Sequence, residues 1–137
     1  MSYISVELRQ RIRELSGNRC EYCLIEDEDG YMPHEFDHIY AEKHGGETTL
    51  DNLCLSCWIC NRHKGTDLTS LDPLTGEITR LFHSRQDNWT EHFQLNDAWI
   101  EPLTAEGRVT VKLLQLNTYE RVDERRVLML LGRYPRL

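Results

Sequence analysis

No run of apolar residues in this 137-residue chain approaches the roughly 20 needed to cross a bilayer, so a helical membrane span is not expected. The opening stretch MSYISVELRQRIREL lacks an apolar signal core and a small-residue cleavage site, and reads as an amphipathic helix rather than a leader. A soluble, cytoplasmic protein is the expectation. There is no internal repeat and no low-complexity tract, and the length suits one domain over 1–137. Basic charge is scarce: 16 Lys and Arg stand against 23 Asp and Glu, a net charge of -7. Seven basic residues face twelve acidic ones up to Thr66, and nine face eleven after it, so neither part is a basic arm. Strong sequence-independent binding to nucleic acid is therefore not expected of the chain by itself. Any catalytic metal would supply positive charge that the composition does not show.

Cysteine, by contrast, is present in a pattern. There are five, an odd number, and Cys20/Cys23 and Cys57/Cys60 each form a C-x-x-C pair. In a reducing compartment that spacing favours metal thiolates over disulfides. Each tight turn can aim two soft anionic sulfurs at one ion, and two such turns close a tetrahedral zinc site. Cys54-x-x-Cys57 is also a C-x-x-C, so Cys54 or Cys60 could be the spare thiol. Cys54 is taken as spare because it lies in an apolar strand pattern with Leu53 and Leu55. Four thiolates leave no coordination position for water, so this zinc should be structural. The pairs are 33 residues apart, more than the roughly 15 to 20 of a zinc ribbon, which implies a functional insert.

Ser5 can cap a helix bearing Leu8, Ile12 and Leu15, stopped at Gly17-Asn18. The acidic run Glu26-Asp27-Glu28-Asp29 reads as a solvated loop. The stretch from His34 to Tyr40 reads as a strand ended by Gly45-Gly46, followed by extended chain over Asn52 to Leu55 and a short helix through Lys64 stopped by Gly65. Beyond the turn signal Asp72-Pro73-Leu74-Thr75-Gly76, segments Glu77 to His83 and Ala98 to Leu103 suggest strands of a small hairpin or sheet. Thr104 and Thr118 can cap two helices. The class is α+β, with a core over 18–66 and a β-hairpin plus helical extension over 67–137.

The insert carries the chemistry. Adjacent strand residues point to opposite faces, so Asp37-His38 can offer a carboxylate to a metal and an imidazole to a substrate water. Asn61, on the following helix, can reach the same ion with its amide oxygen. Such oxygen donors, completed by water and substrate phosphate, suit Mg2+ or Mn2+.

The segments CEYC, FDHIYAEKHGGETTLDNLCLSC and WICNRHKG, over about residues 20 to 65, resemble the HNH endonuclease family in its zinc-knuckle branch. These are the ββα-metal or His-Me finger nucleases. The stretch EITRLFHSRQDNW is also similar to cyanobacterial-type HNH proteins, more weakly. The resemblance implies a small ββα-metal core stapled by a four-cysteine zinc site (Cys20, Cys23, Cys57 and Cys60), with added C-terminal strands and helices. It implies His38 as general base, Asp37 and Asn61 as ligands of the catalytic metal, and Asn52 as the group that orients the His38 ring. Where some members have a further histidine ligand this chain has Gly65, and His63 is the nearest substitute. Lys64, Arg62 and Arg85 are candidate nucleic-acid contacts. The expected function is metal-dependent hydrolysis of phosphodiester bonds, with DNA the favoured substrate, and activity should fall as acid protonates His38. The competing reading is a non-catalytic zinc module that binds nucleic acid or protein, a degenerate nuclease fold.

Overall fold

The Ser5 hydroxyl accepts from the backbone N–H of Leu8 and starts helix α1 (Val6–Ser16), which ends where Gly17 adopts a left-handed conformation and donates to Arg13 and Glu14 carbonyls. Both ends of this helix are therefore set by the residue types the sequence supplies there. The computed structural model describes residues 2–136.

Strands β1 (Glu35–His38) and β2 (Leu53–Ser56) pair antiparallel, with Asp37 opposite Cys54 and His38 opposite Leu53. The period of two sorts their side chains. Phe36, Leu53 and Leu55 pack with Ile12 and Leu8 of α1 in one small core. The opposite face carries Glu35 and Asp37. Helix α2 (Trp58–Lys64) follows β2 and is opened by the Cys57 sulfur, which accepts from Cys60 N–H. It packs against β1 and ends at Gly65. The strand, turn, strand, helix order read from the sequence is present, with β1 shorter at both ends than expected.

Further on, β3 (Thr69–Leu71) pairs with β4 (Ile78–Arg80) around the Asp72–Gly76 turn. After a short helix α3 (Trp89–His92), β5 (Phe93–Asn96) pairs with β6 (Trp99–Pro102). The expected strands near residues 80 and 100 thus belong to two separate hairpins, each closed on a sequence neighbour. A tight loop makes that partner the one of least closure entropy. Helices α4 (Ala105–Leu113) and α5 (Tyr119–Leu130) begin at Thr104 and Thr118, whose hydroxyls accept from Gly107 and Arg121 N–H. Among the described residues no helix is long and apolar enough to cross a membrane.

The larger core is built around the cysteines. Phe82, Phe93, Ile100, Leu114, Leu116 and Tyr134 from the C-terminal part pack with Cys20, Cys23, Cys57 and Cys60. Polar contacts tie the same parts together: Trp89 Nε1 donates to the Tyr22 carbonyl at 2.9 Å and the Tyr134 hydroxyl to the Cys23 carbonyl at 2.7 Å. The first cysteine turn is thereby fixed from outside by residues far along the chain.

Candidate functional site

The four sulfurs of Cys20, Cys23, Cys57 and Cys60 lie within 4.8 Å of one another, and all four residues are buried. Cys23 and Cys57 sulfurs are 3.7 Å apart, close to the edge of about 3.8 Å that a tetrahedron with Zn–S near 2.3 Å requires. Cys23 N–H points at the Cys20 sulfur and Cys60 N–H at the Cys57 sulfur, at 3.5 and 3.4 Å. The donor set and its spacing fit a structural zinc. Cys54 stands outside this group; its sulfur faces the Tyr22 hydroxyl at 3.9 Å. Burial, with the nearby Asp37 charge, pushes the Cys54 thiol well up, so it stays a neutral core group.

Arg121 of α5 was not anticipated. The residue is only 5% exposed, and its guanidinium reaches the Cys60 sulfur at 3.0 Å and the Cys57 sulfur at 3.8 Å. The other terminal nitrogen donates to the Leu114 and Gln115 carbonyls at 2.9 and 3.2 Å. Burial acts to lower its pKa, but the charges of Cys60, Cys23 and Cys57 outweigh it and hold it above the ordinary value. It lies 61 positions beyond Cys60, and no local spacing could have flagged it.

On the hairpin, His38 is nearly enclosed. Its Nε2 meets Thr48 Oγ1 at 2.9 Å and lies 3.6 Å from Glu42 Oε1. Glu42 is itself held by Ser2, whose N–H and hydroxyl donate to its carboxylate at 3.0 and 2.8 Å. Nδ1 is not used in the contacts described. Thr48 and Glu42 therefore do what was expected of Asn52. The Asn52 side chain does not bond the His38 ring. Its oxygen accepts from Tyr40 N–H at 2.8 Å, and its nitrogen donates to the Tyr40 and Glu47 carbonyls at 2.9 and 2.8 Å. Every bond goes to backbone, so Asn52 clamps the loop after β1 and fixes His38 through the chain. Gly46 shares this clamp: a Cβ there would lie 1.7 Å from the Tyr40 carbonyl oxygen.

Asp37 and Asn61 have partners of their own. Lys64 Nζ lies 2.9 Å from Asp37 Oδ2 and 3.2 Å from the His38 carbonyl, with the lysine side chain 2% exposed. Burial raises the Asp37 pKa, and the Lys64 charge opposes that rise. Asn61 donates its amide to Glu35. Glu35 and Asp37 share a strand face, and Asn61 and Lys64 lie one helical turn apart, so the four form a polar seam between β1 and α2. Its oxygens are hard donors of the kind Mg2+ and Mn2+ prefer, and Asp37 Oδ1 and Asn61 Oδ1 are not used in the contacts described. The strand period could have brought Glu35 forward beside Asp37.

The three candidate phosphate contacts each have a partner within the protein. Lys64 is buried on Asp37 and is not a surface cation. Arg85 is paired with Glu21, its second terminal nitrogen 3.0 Å from that carboxylate, and both side chains are about a tenth exposed or less. Arg62 is exposed, but its guanidinium stacks 4.3 Å above the Trp58 ring. Burial pushes the His63 pKa down, and the charges of Arg121 and Arg62 act in the same direction.

Residues 20–67 match the model of the HNH endonuclease family. Over 126 residues the chain is 25% identical to the Septu protein PtuB of Bacillus thuringiensis, an alignment that takes in 89% of this chain and 46% of that protein. The chain thus spans about half the length of this curated relative. No solved structure matches the chain.

Proposed function

We propose that this chain, whose residues 20–67 match the model of the HNH endonuclease family, hydrolyses phosphodiester bonds of nucleic acid, with DNA as substrate, in the presence of Mg2+ or Mn2+. The observation that carries the reading is the His38 environment. Thr48 and Glu42 engage Nε2, which fixes the ring and leaves Nδ1 as the base for water. With Nε2–H donating to the Thr48 hydroxyl, the Glu42 carboxylate 3.6 Å away would stabilise the imidazolium formed when Nδ1 takes the proton.

Asp37, with Asn61 beside it, would hold the divalent ion, which supplies charge stabilisation at the phosphoryl and leaving 3′ oxygens when bound. Lys64 would keep the Asp37 carboxylate oriented and partly neutralised in the meantime. Asn52 and Gly46 would keep the loop carrying Glu42 and Thr48 against the end of β1. The zinc-bound turns would serve as the frame that sets α2 on the hairpin. The acidic composition supports chemistry driven by a metal rather than tight binding by the protein's own cations.

One observation favours the non-catalytic alternative: an ammonium already occupies the Asp37 carboxylate. Plasmid nicking separates the two readings. The nuclease reading expects nicking by the purified chain with Mg2+ or Mn2+, none with chelator, and severe loss in Asp37→Ala. Equal inertness of wild type and variant across metals and across DNA and RNA substrates would make the binding-module reading the better one.

A further inference from the structure

The thiolate cluster has a charge problem that the four cysteines do not solve. Four thiolates around a divalent ion leave two net negative charges, and here they sit where all four cysteines are buried. A buried charge without a partner is costly. Two backbone N–H groups, from Cys23 and Cys60, answer part of it. The one cationic side chain bonded to these sulfurs among the described residues is Arg121, at 3.0 Å from Cys60 and 3.8 Å from Cys57.

We propose that Arg121 is an outer member of the zinc site, and that through it the docking of α5 and the retention of zinc are coupled. The geometry suits this task. One edge of the guanidinium is fixed by the Leu114 and Gln115 carbonyls just beyond α4, so the other edge is held on the sulfurs without needing the metal to draw it there. Its planar fork can serve two carbonyls and two sulfurs at once, which a lysine cannot do. Thr118, which caps α5, accepts from the N–H of Arg121 itself, so the start of the helix and the cation are set by one local structure. Coupling of this kind is reciprocal: whatever Arg121 adds to zinc affinity, zinc returns to the attachment of α5. Loss of zinc should therefore loosen the C-terminal helix before it unfolds the hairpin that α1 covers.

The test uses the full chain and reads zinc, not nuclease activity. Zinc content and affinity by competition with a chromophoric chelator are measured for wild type, Arg121→Gln, Arg121→Lys and Arg125→Gln. Arg125 lies one turn further along α5, is fully buried and bonds to Ala98 and Asn117 rather than to sulfur, so it controls for destabilisation of the helix alone. Outer partners of metal ligands typically contribute about 10–100-fold in affinity, and Arg121→Gln should lose an amount in that range, with Arg121→Lys intermediate and Arg125→Gln without a comparable change. Amide exchange should show α5 opening earlier than α1 when zinc is removed from the wild type. Equal zinc affinity in wild type and Arg121→Gln, or an equal loss in Arg125→Gln, would overturn the coupling. A wild-type chain that holds no zinc would overturn it together with the zinc reading.

Discussion

Replacing Lys64 by methionine gives the sharpest prediction about the seam between β1 and α2. The substitution keeps most of the buried volume and removes the ammonium that lies 2.9 Å from Asp37. Breaking a buried pair from one side costs about 3–5 kcal/mol. Asp37 keeps 14% of its side-chain surface exposed, so some water can reach it, and the lower end, about 3 kcal/mol, is the expected loss at neutral pH. The loss should depend on pH in a definite direction. Burial already raises the Asp37 pKa, and Lys64 opposes that rise; without the lysine it rises further. The folded variant then binds a proton that the unfolded chain releases, so its deficit shrinks as the pH falls towards the carboxylate range and is largest above it. Millimolar Mg2+ or Mn2+ should recover part of the deficit, because a cation bound at Asp37 takes over the role of the ammonium. Asp37→Asn introduced on top should recover part of it as well. Urea unfolding of zinc-loaded protein at several pH values measures all of this. A variant within about 0.5 kcal/mol of wild type, the usual range for a surface substitution, would refute the buried pair.

The loop after β1 yields two more tests, and the β3–β4 turn a third. Gly46→Ala forces a Cβ into the Tyr40 carbonyl and should cost about 3 kcal/mol or more. Gly45→Ala meets open space and pays only for its φ of +88°, about 1–2 kcal/mol; urea midpoints order the two. Asn52→Asp turns a donor shared by two carbonyls into an acceptor facing them, and should destabilise the chain by about 1–3 kcal/mol, whereas unchanged stability with altered activity would return Asn52 to the His38 ring. Asp72 accepts two bonds from Arg108, at 2.9 and 2.8 Å, and that guanidinium holds its carboxyl well below the usual range. The stability it adds is present above the unfolded carboxylate pKa of about 3.9 and is lost as the pH falls through the lower folded value. Asp72→Asn should therefore show a shallower acid slope in urea unfolding than wild type.

Local chemistry explains what could be read in advance. Ser5, Thr104 and Thr118 announce helix starts because a side-chain oxygen must satisfy the first free N–H groups. Cys57 and Cys60 announce their turn because two ligands of one ion must be close in sequence. The Asp37-His38 alternation survives folding since neighbours on a strand always part company. What could not be read depends on contacts across the chain. Nothing near Asn52 tells whether its amide meets a ring or three backbone groups. Lys64 reads in sequence as a surface cation, but its charge is spent inside the protein on Asp37. Arg121 reaches the thiolates only because α5 folds back over them, and the partners of β4 and β6 could not be named because an open strand pattern does not specify its neighbour.

Metal analysis coupled to plasmid nicking shows whether the structural and catalytic metals are separate ions. If they are, dialysis against a mild chelator should leave about one zinc per chain and no nicking, with recovery on adding Mg2+ or Mn2+ and no recovery in His38→Ala of equal zinc content. Nicking that persists without added metal, or that His38→Ala performs as fast as wild type, would contradict this.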